Sequence, residues 1–273
     1  MSNLDLEKIR DLIYRKTGMR FPEQKDYFIK SRIDQRLQDL GVSDYDKYVK
    51  SLLREEDKRE FQHFLEKITI NETYFFRDFP QLQGFAENVV PEYLDQKRKN
   101  NDYKLKIWSA ACSTGEEAYT LSIIFNEILE DFKKWEIEIV ATDIDRMVLN
   151  HAQTGIYSAR SLKDTPVIYT KKYFSKEDKG FRISKTKTIP VDFFQLNLSD
   201  RLAMRKMRGF DFVFCRNVLI YFDEDSRKQV VNQLYDALLP QGYLFLGHSE
   251  SVGRITAIFK LKNIGGFLCY QKP

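Results

Sequence analysis

Apolar residues recur at helical spacing through the first part of the chain. They form four stripes: Leu4, Ile9, Leu12 and Ile13; Phe28, Ile33, Leu37 and Leu40; Tyr48, Leu52 and Leu53; Phe61, Phe64, Leu65 and Ile68. Such spacing places apolar side chains on one face of a helix. Gly18 and Gly41 follow the first two stripes, and glycine commonly ends a helix. The pattern predicts a small all-α bundle.

Further along the chain, short apolar runs alternate with helical stripes. The runs at 105–108, 137–142, 210–215 and 243–246 predict strands, and the stretches 116–130, 145–153 and 225–239 predict helices. Alternating strands and helices indicate βαβ units, hence an α/β fold with a mostly parallel sheet covered by helices. Residues 266–270 predict one further, antiparallel strand.

Residues 160–189 interrupt this alternation with a basic segment. It holds nine Lys or Arg against three acids, and residues 181–187 alternate roughly with period two. That pattern predicts a half-exposed hairpin. Such a charged hairpin is more typical of a solvated face than of a nucleic-acid site.

Composition narrows the class of protein. The 273 residues are 42% hydrophobic and 31% charged, which predicts a soluble protein with a real core. The longest uncharged stretch, 237–249, is shorter than the roughly 20 residues of a membrane span. No secretory signal is recognisable and the three cysteines are scattered, so we expect reduced thiols and a cytoplasmic location. A net charge of +4 does not demand a nucleic-acid partner.

The turn after the first predicted strand carries the first chemical signal. Residues 109–117 read Ser-Ala-Ala-Cys-Ser-Thr-Gly-Glu-Glu, so small side chains allow a ligand to approach the backbone. The G-x-G-x-x-G pattern of dinucleotide sites is absent, and Glu116 and Glu117 stand where a phosphate would bind. Two acids repel phosphate and favour a cationic ligand without one. S-adenosylmethionine, a nucleoside with a sulfonium and an ammonium group, fits this description.

An acid at the end of the second predicted strand supports the same cofactor. Asp143 lies about one βα unit after Gly115, where a carboxylate can accept hydrogen bonds from both ribose hydroxyls. The alternative is that Asp143 or Asp145 only caps the helix that follows.

Five blocks carry a more specific signal: 69–78 (TINETYFFRD), 108–117 (WSAACSTGEE), 141–145 (ATDID), 214–222 (FCRNVLIYF) and 247–250 (GHSE). In this order they resemble the chemotaxis receptor glutamate methyltransferases, the CheR type, over nearly the whole chain. The resemblance implies an N-terminal all-α helical domain at 1–78 and a Rossmann-like S-adenosylmethionine-dependent methyltransferase domain at 79–273. It also implies a small antiparallel β-subdomain, inserted at about 173–192. The implied activity is methyl transfer to glutamate side chains of membrane-bound chemotaxis receptors.

The resemblance also implies a set of site residues. The cofactor contacts are Asn71, Thr73, Arg77, Glu117, Asp143, Asn197, Leu198, Arg216 and Asn217. Arg77 and Tyr221 are the catalytic candidates, which would hold the acceptor. Structural interpretations stay open: Asn71 and Thr73 as loop caps, Glu117 as a first-turn helix acid, and Arg216 as the ion-pair partner of a nearby Asp. The roles of Asn197 and Leu198 depend on 193–198 being a strand that ends at the adenine. Tyr221 would otherwise be a core tyrosine.

The implied partners are acidic helices in the cytoplasmic domains of receptors. Lys30, Arg32 and Arg36 in the second predicted helix are the docking candidates. Arg32 and Arg36 lie at i, i+4 on one face, and the apolar stripe points elsewhere, so these cations would be free to meet an acidic helix. The alternative is a solvated face with ion pairs to Asp34 or Asp39.

Two other functions are possible. One is a non-catalytic module that senses S-adenosylmethionine, and the other is a nucleic-acid methyltransferase that uses the basic hairpin. Against the second, residues 216–219 lack the Asn- or Asp-Pro-Pro-Tyr-type motif of amino-methyltransferases. The histidines and cysteines lack metal-ligand spacing, so no metal is expected. We also expect a monomer that does not insert into the membrane and, because the loop at 173–181 is compact, needs no receptor tail peptide.

Overall fold

The computed structural model describes residues 3–54, 58–129, 131–252 and 257–273. It begins with a bundle of four helices: α1 (Asn3–Thr17), α2 (Asp26–Leu40), α3 (Tyr45–Arg54) and α4 (Lys58–Ile68), with a 3-10 turn at Glu23–Lys25. As predicted, α1 ends before Gly18, and α2 ends at Gly41 in a left-handed conformation with φ 65°. The stripes supply the core of the bundle. In the second stripe Leu40 is exposed, and Ile29 is buried in its place.

A seven-stranded sheet forms the second part of the chain. It is preceded by α5 (Phe79–Gly84), a π-helical turn (Phe85–Val89) and α6 (Val90–Lys99). The following elements are β1 (Lys104–Ala110), α7 (Glu116–Ile128), a 3-10 turn (Phe132–Lys134), β2 (Glu136–Asp143), α8 (Arg146–Thr154), β3 (Ile156–Tyr157), α9 (Val167–Tyr173), β4 (Phe174–Glu177) and β5 (Gly180–Ile183). The chain continues through β6 (Val191–Gln195), α10 (Arg201–Met204), β7 (Phe210–Cys215), a 3-10 turn (Leu219–Tyr221), α11 (Glu224–Ala237), β8 (Leu238–Leu246), β9 (Lys260–Ile264) and β10 (Phe267–Gln271).

The topology of the large sheet is that of an open α/β fold. Its strand order is β6-β2-β1-β7-β8-β10-β9. The first five strands are parallel, while β10 runs antiparallel to β8 and β9 antiparallel to β10. The predicted α/β class is confirmed, and the antiparallel strand expected at 266–270 is β10. The helix predicted over 116–130 ends at Ile128, and residue 130 lies outside the described residues.

A three-stranded antiparallel sheet, β3-β5-β4, lies between α8 and β6 in the chain. Its first strand begins at Ile156, upstream of the segment predicted at about 173–192. The hairpin predicted over 181–187 is wrong in extent. The strand β5 ends at Ile183, and its hairpin partner is the preceding strand β4.

The bundle packs on the sheet through the loop after α1. Gly18 is left-handed (φ 73°), and a Cβ atom there would lie 2.2 Å from Ser199 Oγ. Ser199 Oγ donates a hydrogen bond to the last carbonyl of α1 at 2.9 Å, and Met19 forms an isolated antiparallel bridge with Phe222. Two side chains from loops at the sheet edge pack on the core of the bundle: Ile144 and Tyr221.

Candidate active site

A cleft lies between the bundle and the carboxyl ends of β1, β2 and β7. It encloses about 910 Å³, including its open mouth. Most of its walls come from the junction 68–77, the turn 111–117 after β1, and the loop 216–221 after β7. The strand order reverses at β1, and open α/β sheets bind their ligands at such a switch point.

The turn after β1 has a strained backbone. Ala111 and Ser113 are left-handed with φ 65° and 51°, and Gly115 has φ 92°. Such conformations cost a non-glycine residue about 1–3 kcal/mol each, so they persist only where the surroundings enforce them. At Gly115, an added Cβ atom would lie 2.7 Å from Ala152 Cβ. The single glycine of this turn therefore serves both a left-handed backbone and close packing on α8.

Asp143, at the end of β2, faces this turn. Its Oδ2 accepts a hydrogen bond from the Ser113 N–H at 2.8 Å, and its Oδ1 accepts one from the Asp145 N–H at 2.9 Å. The residue is 6% exposed, and this burial raises the pKa of Asp143 to about 6. Each oxygen of an ionised carboxylate has a second lone pair, so Asp143 retains acceptor capacity toward the cleft.

Asp145, and not Asp143, caps helix α8 through its side chain. The interpretation as a helix cap therefore applies to Asp145. Its Oδ1 accepts from two N–H groups in the first turn of α8 at 2.8 and 3.3 Å. Its Oδ2 accepts from Thr69 Oγ1 at 2.7 Å and from Asn71 Nδ2 at 2.9 Å. Asn71 lines the cleft, and its bond to Asp145 also joins the segment 68–77 to α8.

Arg216 is the centre of an ion-pair network in the wall of the cleft. Its side chain is 2% exposed and donates to Asp78 Oδ2 at 2.6 Å, to the Arg77 carbonyl at 2.9 Å and to Glu117 Oε2 at 3.3 Å. Glu117 also accepts from Ser109 Oγ at 2.7 Å. Burial raises the pKa of Glu117, and Arg216 opposes that effect. The structural interpretation of Arg216 as an ion-pair partner thus holds, while its contact with the cofactor stays a prediction.

Asn217 presents an unused acceptor. It is left-handed with φ 59°, and its Oδ1 is buried without a hydrogen-bond partner among the described residues. Behind it, the Glu250 carboxylate accepts hydrogen bonds from three backbone N–H groups, including that of Asn217.

Arg77 and Tyr221 meet the cleft from different loops. Arg77 Nη1 donates to the Glu72 carbonyl at 3.0 Å, and its guanidinium lies 5.7 Å from the centre of the Tyr74 ring. Burial raises the pKa of the Tyr221 hydroxyl, against a weaker lowering by Arg77. Tyr221 is therefore a hydrogen-bond donor at neutral pH.

Two predicted cofactor residues lie away from the cleft wall. Eight predicted residues line it: Asn71, Thr73, Arg77, Glu117, Asp143, Arg216, Asn217 and Tyr221. Asn197 instead donates from Nδ2 to the Lys16 carbonyl at 2.7 Å. Leu198 is buried in the sheet core, and its carbonyl accepts from Gln233 Nε2 at 3.0 Å. The Asn197 amide thus bonds to the bundle and the Leu198 carbonyl to α11, while the contact of either residue with the cofactor stays a prediction.

The docking candidates on α2 are not equally available. Arg36 is bound by both oxygens of Glu60 at 2.8 Å, and its side chain is 13% exposed. The expectation that Arg36 is free is therefore wrong. Arg32 lies 4.6 Å from the centre of the Phe28 ring and donates to Gln35, while Lys30 is exposed.

Several residues of the site escaped the prediction. They are Ser109, Ser113, Asp78 and Glu250, which bond the predicted residues from behind or beside them. All four lie within the five blocks quoted above, so the blocks located them without indicating their roles.

Two further searches cover the described ranges. No group of three or more His, Cys, Asp or Glu there could hold a metal ion. Each helix there is too short or too polar to span a bilayer.

The cleft fits a cofactor that carries positive charge and no phosphate. Asp143 and Glu117 both line it, and each is a carboxylate. Buried polar atoms are normally hydrogen-bonded, and the Oδ1 of Asn217, a residue of the cleft wall, is buried without a partner among the described residues.

Comparison with known proteins agrees with this fit. Residues 71–265 match the family described as CheR methyltransferase, SAM binding domain, and residues 4–69 match CheR methyltransferase, all-alpha domain. The chain is 38% identical to chemotaxis protein methyltransferase 2 of Vibrio cholerae, over 100% of this chain and 94% of that protein. It is 32% identical to the chemotaxis protein methyltransferase of Escherichia coli, over 96% and 89%. Among solved structures, a magnesium protoporphyrin IX methyltransferase of Synechocystis matches 98% of this chain and 97% of its own at 14% identity and a TM-score of 0.37.

The fold, the cleft and the matched domains define an S-adenosylmethionine-dependent methyltransferase. More particularly, the chain belongs to the CheR methyltransferase family, with both of the family's domains present.

Proposed function

We propose that this protein transfers the methyl group of S-adenosylmethionine to glutamate side chains in the cytoplasmic domains of chemotaxis receptors, forming methyl esters. Membership of the CheR family carries the proposal, since the relatives at 38% and 32% identity are named chemotaxis protein methyltransferases. Such an activity places the protein in the cytoplasm, at the inner surface of the membrane.

The chemistry of a carboxylate acceptor suits this cleft. A glutamate has an unperturbed pKa of about 4.3, so it is already ionised at neutral pH and needs no general base. No histidine is among the described residues that line the cleft. Burial raises the pKa of Cys112, which lies in the wall, so its thiol stays protonated. A site without a histidine or a thiolate is therefore sufficient for this acceptor.

Two side chains are suited to hold the acceptor. Tyr221 remains protonated and can donate a hydrogen bond to a carboxylate. Arg77 can donate charge-assisted bonds, since among the described residues its guanidinium bonds one backbone carbonyl, through Nη1. Their placement on separate loops would fix the acceptor from two sides.

The remaining residues of the cleft would bind the cofactor and orient it toward the acceptor. The cofactor, when bound, supplies an electrophilic methyl group. Asp143 would accept from the ribose, while Glu117 and the Asn217 amide oxygen would face the positive charges. Alignment of two reactants can contribute up to roughly 7–11 kcal/mol, so these positioning contacts are the proposed main source of rate.

The test uses labelled cofactor with receptor-bearing membranes and, separately, with RNA. We expect alkali-labile label on membrane protein, released as methanol, which is diagnostic of a carboxyl methyl ester. Alkali-stable label on RNA would favour a nucleic-acid methyltransferase. Cofactor binding without transfer to any membrane protein would favour a sensing module.

A further inference from the structure

The loop after β8 meets the loop after β7 through one carboxylate. Glu250 Oε2 accepts hydrogen bonds from the N–H groups of Asn217 and Gly247, both at 2.7 Å. Its Oε1 accepts from the Leu219 N–H, also at 2.7 Å. All three donors are backbone N–H groups. The Glu250 side chain therefore holds the backbone conformation of the two loops.

The segment held in this way is conformationally costly. Asn217 is left-handed with φ 59°, a state that costs a residue with a side chain about 1–3 kcal/mol. Leu219 begins the 3-10 turn that ends at Tyr221. Backbone N–H groups that converge on one point form a nest for an anion, and charge-assisted hydrogen bonds are roughly twice as strong as neutral ones. Glu250 is the anion of this nest, which supplies the reason that the turn persists.

The opposite side of the same turn faces the cleft. Asn217, Val218 and Tyr221 line the cleft, whereas Glu250 does not. The close approach of the two loops also requires a glycine at position 247. A Cβ atom at Gly247 would lie 2.8 Å from both Asn217 Nδ2 and Glu250 Oε2.

We propose that Glu250 is a positioning residue that acts on cofactor binding through Asn217. It holds the left-handed turn through which Asn217 lines the cleft, and it sets the start of the turn that carries Tyr221. The inference rests on the proposed role of Asn217 as a cofactor contact. It does not depend on which acceptor is methylated.

The experiment is a double-mutant cycle measured by calorimetric titration with S-adenosylhomocysteine. The variants are Glu250→Gln, Asn217→Ala and the double, with Glu92→Gln on the exposed face of α6 as the matched control. Gln keeps the shape of Glu250 but replaces one acceptor oxygen by a donor. We expect each single variant to weaken binding about tenfold, the double to be no weaker than the worse single, and the control to bind as the wild type.

A merely structural role gives a different pattern. If Glu250 only stabilised the fold, Glu250→Gln would lower the melting temperature and leave the affinity of the folded protein unchanged, which would overturn the proposal. Losses that multiply in the double variant would also overturn it, because Glu250 would then act independently of Asn217. Gly247→Ala offers a second route, since it retains the carboxylate and disturbs the same contact. We expect it to weaken binding of S-adenosylhomocysteine similarly, and unchanged affinity would count against the proposal.

The proposed receptor activity is tested separately. Binding of S-adenosylhomocysteine requires no acceptor, so a failure to methylate receptors would leave the cycle intact. A failed cycle would equally leave the methyl-transfer assay unaffected in the wild type.

Discussion

At the residue scale, the buried Asp143 carboxylate should make cofactor binding sensitive to pH. Its pKa is raised to about 6, mainly by burial, so it is ionised at pH 7 and becomes protonated below pH 6. A protonated carboxyl has lost acceptor capacity toward the ribose hydroxyls. We therefore expect the affinity for S-adenosylhomocysteine to be constant above about pH 7 and to fall as pH decreases through 6, measured by calorimetry.

Two variants test the assignment of that titration. Asp143→Asn cannot titrate, so its affinity should be weaker than that of the wild type at pH 8 and nearly flat with pH. Asp143→Ala should weaken binding about 10- to 100-fold at pH 8, the cost of removing a charged acceptor, without loss of the fold. A pH dependence that survives in Asp143→Asn would assign the titration to another carboxyl, such as Glu117 or Glu116, since burial raises the pKa of both.

Tyr221 should matter for turnover more than for the cofactor. Its hydroxyl is protonated, and the residue lines the cleft, where the acceptor would lie. Loss of one hydrogen bond to a carboxylate in Tyr221→Phe should lower kcat about tenfold, in a radiometric assay with receptor membranes. The affinity for S-adenosylhomocysteine should stay close to the wild-type value. The reverse pattern, with kcat intact and affinity lost, would make Tyr221 a cofactor residue.

The different roles of Asp143 and Asp145 could not be predicted from the sequence. Asp143 bonds the turn after β1, and Asp145 caps α8. The sequence places both acids after a strand, and either could cap a helix or bind a ribose. Which oxygen meets which N–H depends on the angle between β2 and α8, a tertiary property. The same holds for Arg216, whose partner Asp78 lies far away in the chain.

At the scale of the element, charge reversal at Arg36 and charge reversal at Lys30, both in α2, should have different effects on stability. Arg36 and Glu60 join α2 to α4, so Arg36→Glu would place two carboxylates together in a largely buried site. Breaking a buried pair costs about 3–5 kcal/mol, so we expect a lower melting temperature together with weaker receptor methylation.

Lys30→Glu is the cleaner test of docking, because Lys30 is exposed. An exposed charge pair is worth about 0.2–1 kcal/mol, so the apparent KM for receptor should rise roughly two- to fivefold at low salt. The wild-type KM should itself rise with ionic strength, and the melting temperature should not change. If Lys30→Glu methylates receptors as the wild type does at low salt, the docking face lies elsewhere.

Helices and strands that carry an apolar pattern of their own could be predicted from the sequence. Strands that form only because they pair with a neighbouring strand could not. The helices of the bundle and the strands β1, β2, β7 and β10 each carry an apolar pattern of their own. The strand β9 reads Lys-Leu-Lys-Asn-Ile and is mostly exposed, so only its pairing with β10 makes it a strand. The strand β3 has two residues, too few for any period.

At the scale of the whole molecule, the contact between bundle and sheet should be sensitive at Gly18. A methyl group there meets Ser199 Oγ at 2.2 Å and the Phe222 ring at 3.0 Å, and the backbone is left-handed. Met19 and Phe21, which follow directly, line the cleft. We expect Gly18→Ala to lower the melting temperature and to weaken binding of S-adenosylhomocysteine.

Gly41→Ala is the matched control for this prediction. Gly41 has a similar φ of 65°, but an added Cβ atom there would meet nothing within 4 Å. It should cost only the strain of a left-handed residue, about 1–2 kcal/mol, and leave cofactor affinity unchanged. Equal affinities for the two variants would show that the contact at Gly18 does not shape the cleft.

No pattern in the sequence predicts this contact. The resemblance places a helical domain before a methyltransferase domain, but the bond from Asn197 to the Lys16 carbonyl joins distant positions without a local signal. The resemblance predicts Asn197 as a cofactor contact, and that role stays a prediction; the structure adds that its amide bonds at the joint between the bundle and the sheet.

The packing of Ile144 and Tyr221 on the core of the bundle has an evolutionary consequence. The surface proposed to choose the receptor and the loops proposed to perform the transfer share one apolar core, so they cannot diverge as separate modules. A recombination that exchanged the bundles of two relatives would succeed only if residues 16–21 were inherited together with 197–199 and 221–222. A change of receptor preference in this lineage would therefore arise by substitutions on the outer face of α2, rather than by shuffling of whole domains.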